Sequence, residues 1–113
     1  MKEGDVVTAL LPQAIGGFKK RPVVVLREMP KYGDLLVCGV STQLHQYLKG
    51  FDELILRDSS DFKSSGLVNE SVIRLGYLSS VPQKDIEGVI GSVSRKRHKR
   101  LLKALSNYLV RKK

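Results

Sequence analysis

Between residues 5 and 82 the chain is a succession of short β-branched and apolar runs, each cut off by proline, glycine or a polar turn. That punctuation limits the possible folds more than any other feature of the sequence. The first run, residues 5–11, stops at Pro12. The second, Pro22-Val23-Val24-Val25-Leu26, carries its proline at the first position, where a strand tolerates it. Residues 35–43 are nearly all apolar until Ser41-Thr42-Gln43, and residues 52–57 and 71–78 complete the set, with Pro82 beyond. Residues 13–20, with Gly16-Gly17 and two lysines, read as a mobile loop, and residues 58–66 as the most loop-like stretch of all. Short strands at this spacing argue for a compact antiparallel barrel rather than a parallel α/β sheet. Only the end differs: Leu101, Leu102, Leu105, Tyr108 and Leu109 recur at helical spacing behind Ser94, a candidate N-cap. The expected fold is mainly β with a C-terminal helix. A small antiparallel β-barrel over about 1–92 is followed by an amphipathic basic helix over about 94–111, in one domain of 1–113.

Charge is distributed as unevenly as hydropathy. The net charge is +9, with 20 Lys and Arg against 11 Asp and Glu. Nine of the basic residues and none of the acidic ones fall in residues 95–113, so the body is formally neutral. Such a tail points to a polyanionic partner, nucleic acid or an acidic peptide, against the plainer alternative of a solvated helix face. Arg95, Lys96 and Arg97 are candidates for electrostatic docking. They occupy the first helical turn, where the macrodipole favours anions. Either a partner neutralises them, or the helix begins later.

The composition, 42% hydrophobic and 27% charged, is that of a folded globular protein. No apolar run is long enough to span a bilayer and the N-terminus lacks a signal-like stretch, so no membrane association is expected. Cys38, the single cysteine, sits in an apolar run and reads as a buried, inert thiol, consistent with a reducing cytoplasmic setting. His45 and His98 have no Cys or carboxylate at metal-ligand spacing, and neither a nucleophile elbow nor a phosphate-binding glycine pattern occurs. No metal and no cofactor are expected.

Two polar features remain. Lys19-Lys20-Arg21 precedes the stiff Pro22 strand, and Ser41-Thr42-Gln43 ends an apolar one. If these strands are neighbours, Arg21 and the two hydroxyls share a surface. There a guanidinium can fork onto a phosphate while a hydroxyl holds a second oxygen. The alternative is a strand-end cation beside a strand-ending Ser-Thr pair.

The order of motifs resembles the MazF/PemK family of toxin endoribonucleases from type II toxin–antitoxin pairs. The matching elements are Gly4-Asp5-Val6-Val7; Leu11-Pro12 before a glycine loop; Arg21-Pro22-Val23-Val24-Val25; Val40-Ser41-Thr42-Gln43; Gly66-Leu67 then Ser71-Val72-Ile73; and Ile90-Gly91-Ser92-Val93-Ser94 leading into the helix. The resemblance implies an SH3-like barrel that dimerises and cuts single-stranded RNA without a metal, through a 2′,3′-cyclic phosphate, under control of an acidic antitoxin. It assigns catalysis to Arg21 and to Ser41 or Thr42. Lys19, Lys20, Gln43, Arg74 and Tyr77 are expected to contact RNA, Tyr77 by stacking on a base unless it is a core aromatic. The chain departs from the family at residues 13–18, Gln-Ala-Ile-Gly-Gly-Phe in place of a Ser-Glu-Gln-like segment. It departs again at Gly76-Tyr77, where an acidic residue and a glutamine are usual. A non-catalytic nucleic-acid or acidic-peptide binding module on the same barrel is the alternative.

Overall fold

The computed structural model describes residues 2–111. Six strands form one antiparallel sheet: β1 (Asp5–Pro12), β2 (Phe18–Glu28), β3 (Leu35–Ser41), β4 (Glu53–Ile55), β5 (Ser71–Val81) and β6 (Ile86–Ser92). A four-residue helix, α1 (Phe62–Ser65), lies between β4 and β5, and α2 (Arg95–Val110) follows β6. The sheet order is β4-β5-β3-β2-β1-β6. The fold is therefore mainly β with a C-terminal helix, as the hydropathy pattern predicts. No described helix is long and apolar enough to cross a membrane.

Strand parity explains why Val23, Val24 and Val25 are all buried. Alternate residues point to opposite faces, and both faces of this sheet are covered. Val6, Val24, Leu26, Cys38 and Ile73 pack with Leu101 and Leu105 of α2. Val7, Ala9, Val23, Val25 and Val37 form a second cluster on the other face. Register shifts in the β1–β6, β2–β3 and β3–β5 ladders mark bulges that let the strands bend. The sheet curls into a half-barrel rather than a hydrogen-bonded closed barrel, since β4 and β6 remain its two edges. The segment around α1 packs along β6, where a Cβ at Gly66 would collide with the Ile90 carbonyl and one at Gly91 with the Ser64 carbonyl. Only glycines permit that approach.

The first loop is shorter than expected. Gly16 and Gly17 both take positive φ and the Gln13 N–H reaches the Gly17 carbonyl at 3.0 Å, closing a hairpin over 13–17. Pairing with β1 then draws Phe18, Lys19 and Lys20 into β2. Likewise β5 continues to Val81, because it runs beside the start of β3 as far as Leu35. Residues 58–66, read as loop, contain α1.

The helix starts where the sequence places it. Ser94 Oγ accepts the Arg97 N–H at 3.1 Å. The conflict in its first turn is resolved inside the molecule. Asp61 Oδ2 accepts the Ser94 N–H (2.9 Å) and Arg97 Nε (2.8 Å), while Asp61 Oδ1 accepts Arg97 Nη2 (3.1 Å). Arg97 Nη1 adds Glu53 Oε1 and the Leu54 carbonyl, both at 2.9 Å. Thus Arg97 is buried, with four of its five N–H donors taken by its own chain, and its expected docking role is corrected: a guanidinium sealed against two carboxylates is not presented to a partner. The missing anion at the helix start is Asp61. His98, half-buried, donates Nε2–H to the Leu26 carbonyl at 2.8 Å, since a carbonyl only accepts. The apolar stripe is buried only as far as Leu105. Tyr108 meets the Phe51 ring with centroids 5.1 Å apart, but Leu109 is 67% exposed.

Candidate active-site groove

The site begins where the β2–β3 ladder ends. β2 and β3 pair from Val23↔Gly39 onward, so Arg21 and Ser41 extend past that ladder at the same end. Arg21 is still held by β1, opposite Ala9. By parity Arg21, Val23, Gly39 and Ser41 share the face opposite the one α2 covers. Gly39 pairs next with Arg74 of β5, bringing a second guanidinium to that face.

The decisive local feature is a bulge. Cys38 pairs with Leu78 but the adjacent Gly39 pairs with Arg74, so Leu75, Gly76 and Tyr77 have no counterparts on β3. The bulge carries the Tyr77 ring over Gly39, where ring atoms lie 3.2 Å from the place a Cβ would occupy. Any side chain at residue 39 would push the ring away.

An open groove of about 530 Å³ results, lined among others by Arg21, Ser41, Gln43, Gln46, Arg74 and Tyr77. Ser41 Oγ accepts the Gln43 N–H at 3.0 Å, which uses a lone pair and leaves its O–H free to donate. Among the described residues neither Arg21 nor Arg74 is in an ion pair. No carboxylate or histidine is among the lining residues. The groove is therefore an uncompensated cationic cleft with an aromatic wall, suited to an anion that carries a flat ring. No three His, Cys, Asp or Glu side chains gather as a metal site among the described residues. Burial pushes the Cys38 thiol up to about 12, with the Asp52 charge adding to the effect, so this cysteine is no nucleophile.

The structure thus brings together Arg21, Ser41, Gln43, Arg74 and Tyr77. Thr42, exposed in the bend after β3, does not line the groove, and neither do Lys19 and Lys20. Lys20 Nζ lies 3.5 Å from Glu87 on β6. Arg95 and Lys96 are exposed on α2, which packs on the opposite face of the sheet. The sequence reading passed over Gly39 and Gln46. Isolated glycines inside apolar strands, Gly39 and Gly76, are the signal that marks a bulge and a close approach. Gln46 gave none, because its place depends on the 3₁₀ turn Leu44–Gln46.

Residues 2–109 match the family described as PemK-like, MazF-like toxin of type II toxin–antitoxin system. Among solved structures, the Mycobacterium tuberculosis toxin MazF-mt6 superposes with a TM-score of 0.69 at 21% identity, over 93% of this chain and 95% of that one. At that identity the likeness is one of fold. No curated protein sequence matches the chain.

Proposed function

The chain belongs to the PemK-like, MazF-like toxin family, and from that membership and its groove we propose that it is an endoribonuclease toxin that cleaves single-stranded RNA. The convergence of Arg21, Ser41, Arg74 and Tyr77 on one open groove carries this reading. Tyr77 stacks on a base, the usual grip on an unpaired strand. Arg21 and Arg74 hold the non-bridging oxygens of the adjacent phosphate through charge-assisted hydrogen bonds. The Ser41 hydroxyl donates to the same group. The 2′-oxygen then bonds to phosphorus and the bond to the 5′-oxygen breaks. A 2′,3′-cyclic phosphate and a 5′-hydroxyl remain. The 2′-proton passes to water, and the leaving oxygen takes its proton from Arg21, which is reprotonated from solvent. Guanidinium charge stabilises the dianionic transition state, so the scheme needs no metal. In the same proposal the protein acts in the cytoplasm as a homodimer. An acidic antitoxin segment restrains it, with Arg95 and Lys96 as docking cations.

The test is incubation of the purified protein with single-stranded RNA in EDTA and analysis of the ends. Cyclic-phosphate products are expected, with Arg21→Ala lowering the rate on the order of 10²–10³-fold, the cost of removing one preorganised donor. Equal survival of RNA with wild type and Arg21→Ala refutes the reading. One observation favours a second reading, a non-catalytic RNA-binding module: the groove lining contains no carboxylate or imidazole to act as a base. That reading predicts salt-dependent binding with no products at all.

A further inference from the structure

Asp52 is a buried carboxylate that the scheme above leaves unused. It is 8% exposed and is in no ion pair among the described residues. Instead, both of its oxygens accept backbone N–H groups. Oδ1 takes the Leu75 N–H at 3.0 Å and Oδ2 the Leu48 N–H at 3.0 Å. These two donors belong to two segments that each form a wall of the groove, β5 through Arg74 and Tyr77 and the loop after β3 through Gln43 and Gln46. Leu75 is the first residue of the β5 bulge, immediately after Arg74 and two before Tyr77. Leu48 lies in the loop that leaves β3 through Gln43 and Gln46, both in the groove lining. That loop is tied to Asp52 a second time, because the Asp52 N–H reaches the Leu48 carbonyl at 2.9 Å. β4 then starts at Glu53, paired with Ile73, which fixes Asp52 against β5.

At the start of the bulge the Leu75 N–H is accepted by a carboxylate, at the desolvation cost of a buried charge. A charge-assisted bond to each wall is stronger than a neutral one. It also couples the walls, since neither donor can shift without disturbing the other.

We infer that Asp52 is the positioning residue of the groove: its carboxylate clamps the β5 bulge to the loop after β3 and so sets where Tyr77 stands relative to Gln43, Gln46 and Arg74. The inference rests on the RNA reading and deepens it. Asp52 touches no substrate. It decides whether the aromatic wall stands where a base can stack while the phosphate meets the arginines.

Asp52→Asn tests it, since an amide keeps the size but has one acceptor and turns an NH₂ towards the other donor. Two probes are used with the full chain, a 2′-O-methyl RNA oligonucleotide, which cannot be cleaved, and its abasic counterpart with the same sugar-phosphate backbone. D52N is expected to weaken binding of the first about tenfold or more, within the range reported for loss of one stacked base, and to leave the second nearly unchanged. Tyr77→Ala should show the same selectivity, and the double variant should be no weaker than Y77A alone. A D52N that weakens both oligonucleotides equally, or whose effect adds fully to Y77A, makes Asp52 merely structural and overturns the assignment. If D52N does not fold, amide exchange in the wild type decides: fast exchange at both Leu48 and Leu75 overturns the clamp, and slow exchange at both supports it. Wild type binding neither oligonucleotide is the failure of the RNA reading itself, whereas binding that D52N leaves intact is the failure of Asp52 alone.

Discussion

Replacing Arg97 by Met keeps most of the side-chain volume and removes a cation that is ion-paired with both Asp61 and Glu53. The Arg97 and Asp61 side chains are only 7% and 4% exposed, so solvent cannot substitute for the lost partner. Four side-chain hydrogen bonds disappear, two to Asp61, one to Glu53 and one to the Leu54 carbonyl. Removing one member of a buried pair costs about 3–5 kcal/mol, because the remaining charge stays buried and unpaired. Asp61 keeps the Ser94 N–H and Glu53 keeps Arg100, which argues for the lower end, about 3 kcal/mol. For a chain of this length that is a fall in Tm of about 12 °C, at roughly 4 °C per kcal/mol. Lys96→Gln, one residue away but exposed, should stay within about 0.5 kcal/mol. Urea unfolding followed by far-UV circular dichroism at pH 7 separates the two. In a double-mutant cycle, Asp61→Asn should cost less in the Met background than in the wild type, because the unpaired charge is already relieved. An R97M protein within about 1 kcal/mol of wild type refutes the reasoning.

The same network sets an acid limit. Burial alone would raise the Asp61 pKa, but hydrogen bonds from Arg97 and the Ser94 N–H, with the Arg97 charge, outweigh it and hold the carboxyl below its ordinary 3.8. A carboxyl lowered in the folded state stabilises fully above its unfolded pKa and loses that contribution as the pH falls through the folded one. The stability gap between wild type and Asp61→Asn should therefore be widest near neutrality and shrink below about pH 4. A gap that stays constant from pH 7 to pH 3 contradicts this. On the exposed face of α2, replacing Arg95, Lys96 and Lys99 together by Gln should reduce the salt slope of single-stranded RNA binding by about 2, three phosphate contacts at about 0.7 each. An unchanged slope would leave these cations as solvating charge only.

Much of the fold is legible in residue order. Pro12 and Pro82 mark strand ends, whereas Pro22, expected at the start of its strand, lies inside β2; Val23-Val24-Val25 announces a strand covered on both faces, and Ser94 with Leu101 and Leu105 specifies the start and inner face of α2. These are local signals, because turn chemistry, side-chain alternation and capping act within a few residues. Arg21 and Ser41 were also legible as a polar pair, since one precedes and the other ends an apolar run. Helical spacing, by contrast, could not tell that the apolar stripe is buried only to Leu105.

What only the tertiary structure decided is which charges meet. Arg97 and Lys96 are equivalent in the sequence, yet one is sealed against Asp61, 36 residues away, and the other stands in solvent. Asp52 looks like a strand-leading acid, but the bulge at residues 75–77 makes it the acceptor that joins two walls of the groove. Tyr77 reaches the groove because Gly39 leaves room beneath its ring. Hydropathy and propensity are properties of short segments, whereas an ion pair or a bulge is a property of two segments brought together. The sequence therefore determined a β sheet with a basic helix behind it, and the packing determined that the helix's cations lie on one side of that sheet and the candidate chemistry on the other.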